Sequence, residues 1–359
     1  MQHSTPPFTS LADLVSSRVG GRALATNDDF FAPKSNLIKP EAAVFVPGKF
    51  TARGKWMDGW ESRRRRTPGH DWCVLALGMR GRIRGVDVDT SFFTGNYPAH
   101  CSIEAVDAQR PLSKADLARE GTPWTTILPK SELRGDSHNF FEIPEAVSSG
   151  APEPRAPASA KATAGRPEPR VWTHVRLNIF PDGGVARLRV YGDVVVDWPR
   201  LMRGQRAVDL AAIRHGGLVL GASDMHFGGK DNMIMPGRAR NMGDGWETRR
   251  RRGPGHDWAI VRLGAAGLLT QVEIDTNHFK GNYPDQASLE GCLLPGASLD
   301  ELTSSDWAEI LPLTKLRAHH RHLFAKELRR RGPFSHVRLN IFPDGGVSRL
   351  RIHGTLARS

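Results

Sequence analysis

Two stretches of the chain set a run of arginines between a Trp-Glu pair and a histidine. Asp58-Gly59-Trp60-Glu61 leads into Arg63, Arg64, Arg65 and Arg66, then Pro68-Gly69-His70-Asp71-Trp72. Asp244-Gly245-Trp246-Glu247 leads in the same way into Arg249, Arg250, Arg251 and Arg252, then Pro254-Gly255-His256-Asp257-Trp258. A planar guanidinium can grip a carboxylate through two parallel hydrogen bonds. A histidine can give or take a proton near neutral pH, or ligate a metal. The runs could also bind a phosphate backbone or pair with acidic residues of the same chain. The interleaved aromatics of a single-strand binder are missing around them. Anion recognition and internal ion pairing therefore both stay open, with Arg63, Arg64, Arg249 and Arg250 as candidate ligands of a carboxylate.

Other polar residues recur with equal regularity. His174, Arg176 and Asn178 alternate with Val175, Leu177 and Ile179, and His336, Arg338 and Asn340 alternate with Val337, Leu339 and Ile341. On a strand such a set shares one face, where it lines a pocket or meets solvent. The Pro-Asp-Gly-Gly that follows reads as a tight turn. Gly95-Asn96-Tyr97-Pro98 recurs as Gly281-Asn282-Tyr283-Pro284, and its tyrosine is either core or ligand contact. Asp89-Thr90 recurs as Asp275-Thr276. Neighbouring strand residues face opposite ways, so His70 need not act with Asp71, and a purely structural His70 is the competing reading. Zinc, P-loop, nucleophile-elbow and dinucleotide motifs are all missing. No cofactor is required by the sequence, and a divalent metal is left open.

These motifs must be positioned by a duplicated domain. The Arg-run motifs are offset by 186, the His-Val-Arg-Leu-Asn motifs by 162, and the weaker match of Asp13–Ile38 to Asp209–Ile234 by 196. The changes of offset place about ten extra residues before Asp58 and about 24 before His174. The second insert, Pro/Ala-rich over about 146–170, reads as a flexible loop inside the first copy. The domains expected are 1–198 and 199–359. A period near 180 is that of a duplicated domain and excludes a solenoid of short units. Period-two alternation and Gly/Pro punctuation predict an all-β fold, two tandem β-sandwiches, with half-buried strands at Val86–Thr90, Val175–Ile179 and Leu188–Val190. Helical pattern is confined to short pieces such as Leu112–Glu120.

The formal net charge is +12, with much of the excess in the arginine runs. No apolar run approaches the roughly 20 residues of a membrane span, and the first ten residues lack the apolar stretch of a secretory signal. Cys73, Cys101 and Cys292 are odd in number and widely spaced, as expected of reduced thiols in the cytoplasm.

Taken together, Asp-Gly-Trp-Glu with its arginines, Pro-Gly-His-Asp-Trp, Asp-Thr with Gly-Asn-Tyr-Pro, and His-Val-Arg-Leu-Asn-Ile-Phe-Pro-Asp-Gly-Gly-Val resemble the allantoicase family over nearly the whole chain. The resemblance implies two jelly-roll sandwiches of the galactose-binding or discoidin-like type. It also implies hydrolysis of allantoate to (S)-ureidoglycolate and urea in purine and allantoin catabolism, by a homo-oligomer with neither nucleic-acid nor membrane partner. Such chemistry needs a carboxylate clamp, groups that hold two ureido arms, and a proton for the leaving nitrogen. The arginines of the runs, or Arg176 and Arg338, would bind the carboxylate. Asn96, Asn178, Asn282 and Asn340, with Tyr97, Tyr283, His174 and His336, would complete the pocket. His70, His256, Glu61, Glu247, Asp89 and Asp275 would move protons. The alternatives are a non-catalytic carbohydrate- or small-ligand-binding sandwich and a hydrolase of a related ureido compound.

Overall fold

The computed structural model describes residues 5–108, 112, 116, 122–144 and 170–357. The Pro/Ala-rich insert and most of the helical piece at 112–120 lie outside the described residues. The chain divides into two compact units, Met1–Val195 and Val196–Ser359.

The first unit contains β1 (Ala12–Asp13), β2 (Arg22–Thr26), β3 (Phe50–Thr51), β4 (Gly54–Lys55), β5 (Trp60–Glu61), β6 (Asp71–Asp89), β7 (His100–Val106), β8 (Thr125–Glu132), β9 (His138–Glu142), β10 (Trp172–Phe180), β11 (Gly184–Val185) and β12 (Arg187–Val194). The second contains β13 (Val208–Asp209), β14 (Leu218–Ala222), β15 (Trp246–Glu247), β16 (Asp257–Asp275), β17 (Gln286–Cys292), β18 (Ala308–Lys315), β19 (Arg321–Phe324), β20 (Phe334–Phe342), β21 (Gly346–Val347) and β22 (Arg349–Leu356).

One strand joins the two layers of each sandwich. The 19-residue β6 pairs through its first half with β2 and β10, and β10 carries on to β7 and β8. Its second half pairs with β9 and β12, and β12 pairs with β1. All of these pairings are antiparallel. β16 repeats the device with β14 and β20, then β19 and β22. The core is the apolar alternation read from the sequence: Val86, Val88, Val175, Leu177, Ile179, Leu188 and Val190 have no exposed surface.

The polar alternates depart from the half-buried expectation. Asp87 and Asp89 are only 3% and 4% exposed, because further side chains cover their face. Arg189 lies opposite Asp87 in the ladder, His138 Nδ1 is 2.7 Å from Asp87 Oδ2, and Phe8 from the N-terminal segment packs on Tyr191 and Phe140. The cysteines are all free and buried, and burial pushes the Cys101 thiol up to about 12.

Arg187, 1% exposed at the start of β12, is the polar hub of the first unit. It donates to Asp58 Oδ2 (2.6 Å) and to the carbonyls of Asp58, Ala186, Glu41 and Ala42. Lys39 and the Val44 N–H complete the Asp58 carboxylate. Arg349 and Asp244 repeat the hub in the second unit. The Asp of Asp-Gly-Trp-Glu is therefore structural. Arg187→Ala strands a buried carboxylate and several carbonyls, and should cost roughly 3–5 kcal/mol. Calorimetry should show a fall of about 6–20 °C in unfolding temperature for a unit of this size. A fall under 2 °C would remove the hub from the stability argument.

Candidate active site

At one end of each sandwich, the arginine run is laid across the Pro-Asp-Gly-Gly turn. The Ser62 N–H donates to Gly183 O, the Arg65 N–H to Asp182 Oδ2 (2.8 Å) and the Asp71 N–H to Pro181 O. Gly183 has φ +137°, and a Cβ on Gly184 would lie 1.9 Å from the Phe93 ring, so the turn requires both glycines. Trp60, fully buried, anchors the run from below and donates from Nε1 to Asp28 O (2.8 Å). The second unit repeats this with Arg251, Asp344 and Trp246, the last donating to Asp224 O.

Glu61 lies opposite Gly184 in the short β5–β11 ladder. The Asn96 side chain donates to Glu61 Oε1 (2.7 Å), and Asn282 donates to Glu247 likewise. Burial pushes the Glu61 carboxyl above the usual carboxylate range, against the opposing pull of Asn96 and Lys55. A larger protonated fraction is thus available to give a proton.

Two arginines of each run are engaged by the protein itself. Arg63 pairs with Asp28 (2.7 Å) and Arg249 with Asp224 (3.1 Å). Arg65 pairs with the buried Asp71, and Arg251 with Asp257. Arg63 and Arg249, expected as substrate ligands, are thus each paired with a carboxylate of the same unit. Arg64, Arg66, Arg250 and Arg252 have no ion-pair partner among the described residues.

His70 and Asp71 do part company. Asp71 holds Arg65 and Asn27, while the His70 ring lies 4.7 Å from the Phe180 ring, at the other end of the same turn from Glu61. Lys130 Nζ sits 4.8 Å from that Phe180 ring. His256 stacks on Phe342 in the same way, but Leu313 occupies the position of Lys130. Tyr97 is half-buried and packs against the Met57–Phe93–Ala186 cluster. Tyr283 is half-buried too. Asp89 and Asp275, buried at their strand ends, accept the N–H of the residue two ahead.

The row on β10 forms a second polar cluster. Arg176 Nε and the Asn178 side chain both donate to Glu104 Oε2 (2.6 and 2.9 Å), Asn178 also meets Ser102, and Arg176 lies 5.0 Å from the Trp124 ring. Arg338, Asn340, Glu290, Ser288 and Trp307 repeat the cluster. An open groove lined by Cys292, Trp307, Arg329 and Phe334 runs alongside. Glu104 was legible in principle, since Ser-Ile-Glu at 102–104 recurs as Ser-Leu-Glu at offset 186. The arginines here are already neutralised by a carboxylate, which argues against a free clamp. Among the described residues no three His, Cys, Asp or Glu side chains gather to hold a metal ion.

His174 and His336 are buried, not pocket-facing. His336 has no exposed surface and its Nδ1 lies 3.0 Å from Ser335 Oγ. Burial lowers the ring from 6.5 to about 4. The unfolded chain therefore takes up this proton first as pH falls. The stability due to the neutral ring is complete above about 6.5 and is lost as pH falls toward about 4. The loss is on the order of 3 kcal/mol. The urea midpoint of His336→Gln should vary less than the parent's across this window, and identical slopes would sink the assignment.

With the geometry in place, known proteins give it a family. The allantoicase repeat family matches residues 12–195 and again 208–357. A probable allantoicase of Burkholderia mallei (strain ATCC 23344) is 47% identical over 356 residues, covering 98% of this chain and 97% of its own. A probable allantoicase of Pseudomonas syringae pv. syringae (strain B728a) is 45% identical over 354 residues, with 98% of both chains covered. The crystal structure of allantoicase from Saccharomyces cerevisiae is similar at 32% identity, with a TM-score of 0.75 and coverage of 97% of this chain and 96% of that one. A repeat family matched twice, and relatives aligned end to end, mean that this chain belongs to the allantoicase family.

Proposed function

We infer that this protein hydrolyses allantoate to (S)-ureidoglycolate and urea, a step of purine and allantoin breakdown. Family membership gives the reaction, and one observation supports the place: a partly buried carboxyl with raised pKa, Glu61, held by Asn96 on the strand that leads into the arginine run, where Arg64 and Arg66 have no ion-pair partner among the described residues. A non-catalytic binding module is not favoured by these relatives.

The reaction adds water across a C–N bond of the central carbon. The water oxygen bonds to that carbon, the bond to one ureido nitrogen breaks, and this nitrogen leaves as urea after gaining a proton. Arg64 and Arg66 hold the substrate carboxylate, Asn96 orients Glu61, and Glu61 protonates the leaving nitrogen. His70, at the far end of the turn, takes the proton from water. Buried reduced thiols fit a cytoplasmic setting.

Urea release from allantoate by the purified chain, measured with and without chelator and added divalent metal, tests the reading. Release should match substrate loss one to one. Glu61→Gln and His70→Ala should each lower kcat by roughly 10²–10⁴-fold, about 3–5 kcal/mol of barrier. Full turnover by either folded variant would strike that residue from the mechanism.

A further inference from the structure

The two repeats differ beside the Glu-Asn pair. The roughly ten residues that the first repeat gains before Asp58 build the β3–β4 hairpin and its approaches. The hairpin is docked onto the Phe30–Phe31 segment, which is in turn bonded to the strand that carries Glu61. Arg53 donates to Phe30 O (2.7 Å), a Cβ on Gly54 would lie 3.9 Å from the Phe31 ring, and the Phe31 N–H donates to Glu61 O (3.2 Å). Its underside is aromatic: Phe45 stacks on Phe92, and Lys49 lies over Trp56. Lys55, at its end, lies 4.6 Å from the Phe45 ring and is ion-paired with no carboxylate among the described residues.

Among the described residues the second repeat has no such hairpin. Its shorter segment folds back on its own unit: Gly237 O accepts from Arg349, and Arg238 and Arg240 turn to Asp275 (3.8 Å) and Asp244 (3.6 Å). The Met242 thioether, not a cation, borders the Glu247–Asn282 pair.

We propose that the hairpin at 49–56 is a carboxylate-binding flap with Lys55 as its contact, and that it confines productive substrate binding to the first repeat. This rests on the reading of the Glu61 end as the active site. An ammonium held on an aromatic ring beside Glu61, with Arg64 and Arg66 nearby in sequence, gives the substrate carboxylate a cationic seat. The same flap shields the reacting carbon from bulk water. The second repeat, where a methionine and not a lysine borders the Glu–Asn pair, serves as scaffold.

The full-length chain tests this in one assay series. Lys55→Met should raise KM about tenfold or more, with kcat changed by less than about threefold, and Lys55→Arg should restore most of the loss. Calorimetric titration of Glu61→Gln with allantoate should give one site per chain, with urea release slowed at least about 100-fold. An unchanged KM in Lys55→Met, two sites per chain, or parental turnover by Glu61→Gln would each overturn the proposal. If the parent releases no urea, the functional reading has failed, and titration of Lys55→Met against the parent still decides whether the flap binds a carboxylate.

Discussion

The buried ion pair between Arg187 and Asp58, repeated as Arg349 and Asp244, is the constraint on which the site depends. A guanidinium with almost no exposure would be costly unless every donor found an acceptor. Here carbonyls and a carboxylate supply them, and the carbonyls belong to segments with little other reason to lie against the sheet. The residues that follow Asp58 are Gly59, Trp60 and Glu61. Fixing Asp58 to β12 therefore fixes the height at which Trp60 enters the core and the place at which Glu61 leaves it. In the second unit the same demand shows as an Arg349 guanidinium lowered by burial to about 10.

From that anchor the arginine run becomes intelligible. Its alternate members, Arg63 and Arg65, are fastened by Asp28 and Asp71, while backbone N–H groups tie the run to the 181–184 turn. Fastening half of the run uses two carboxylates and fixes the backbone from which the other two guanidiniums project. A rigid loop loses less entropy when it grips an anion. The strong positive charge of the chain is thus partly consumed within the fold.

Duplication has preserved this frame while letting its edges drift. Both repeats keep the Arg–Asp hub, the glycine turn and the Glu–Asn pair. They differ in what surrounds them: Lys130 against Leu313, His138–Asp87 against Arg321–Glu273, and the hairpin against a shorter loop. The shared residues are those that the backbone of each sandwich requires. The differing ones lie at edges and loops, where substitution disturbs few contacts.

The repeat, the strand alternation and the apolar core were legible in the sequence because they are periodic, and burial of one face of a strand imposes that period. The catalytic class was legible only through the resemblance of these long motifs to the allantoicase family. What each polar residue does was not. Nothing in Arg-Arg-Arg-Arg tells which guanidiniums meet Asp28 and Asp71, since those partners lie 35 and 6 residues away and are chosen by the fold. Asp89 and His336 share their spacing with the site residues, yet tertiary covering buries them. Asp58 likewise reads as part of a site motif until Arg187, 129 residues on, is brought against it. Local order sets which face a side chain takes, and only long-range packing decides whether that face meets solvent, a partner charge or the core.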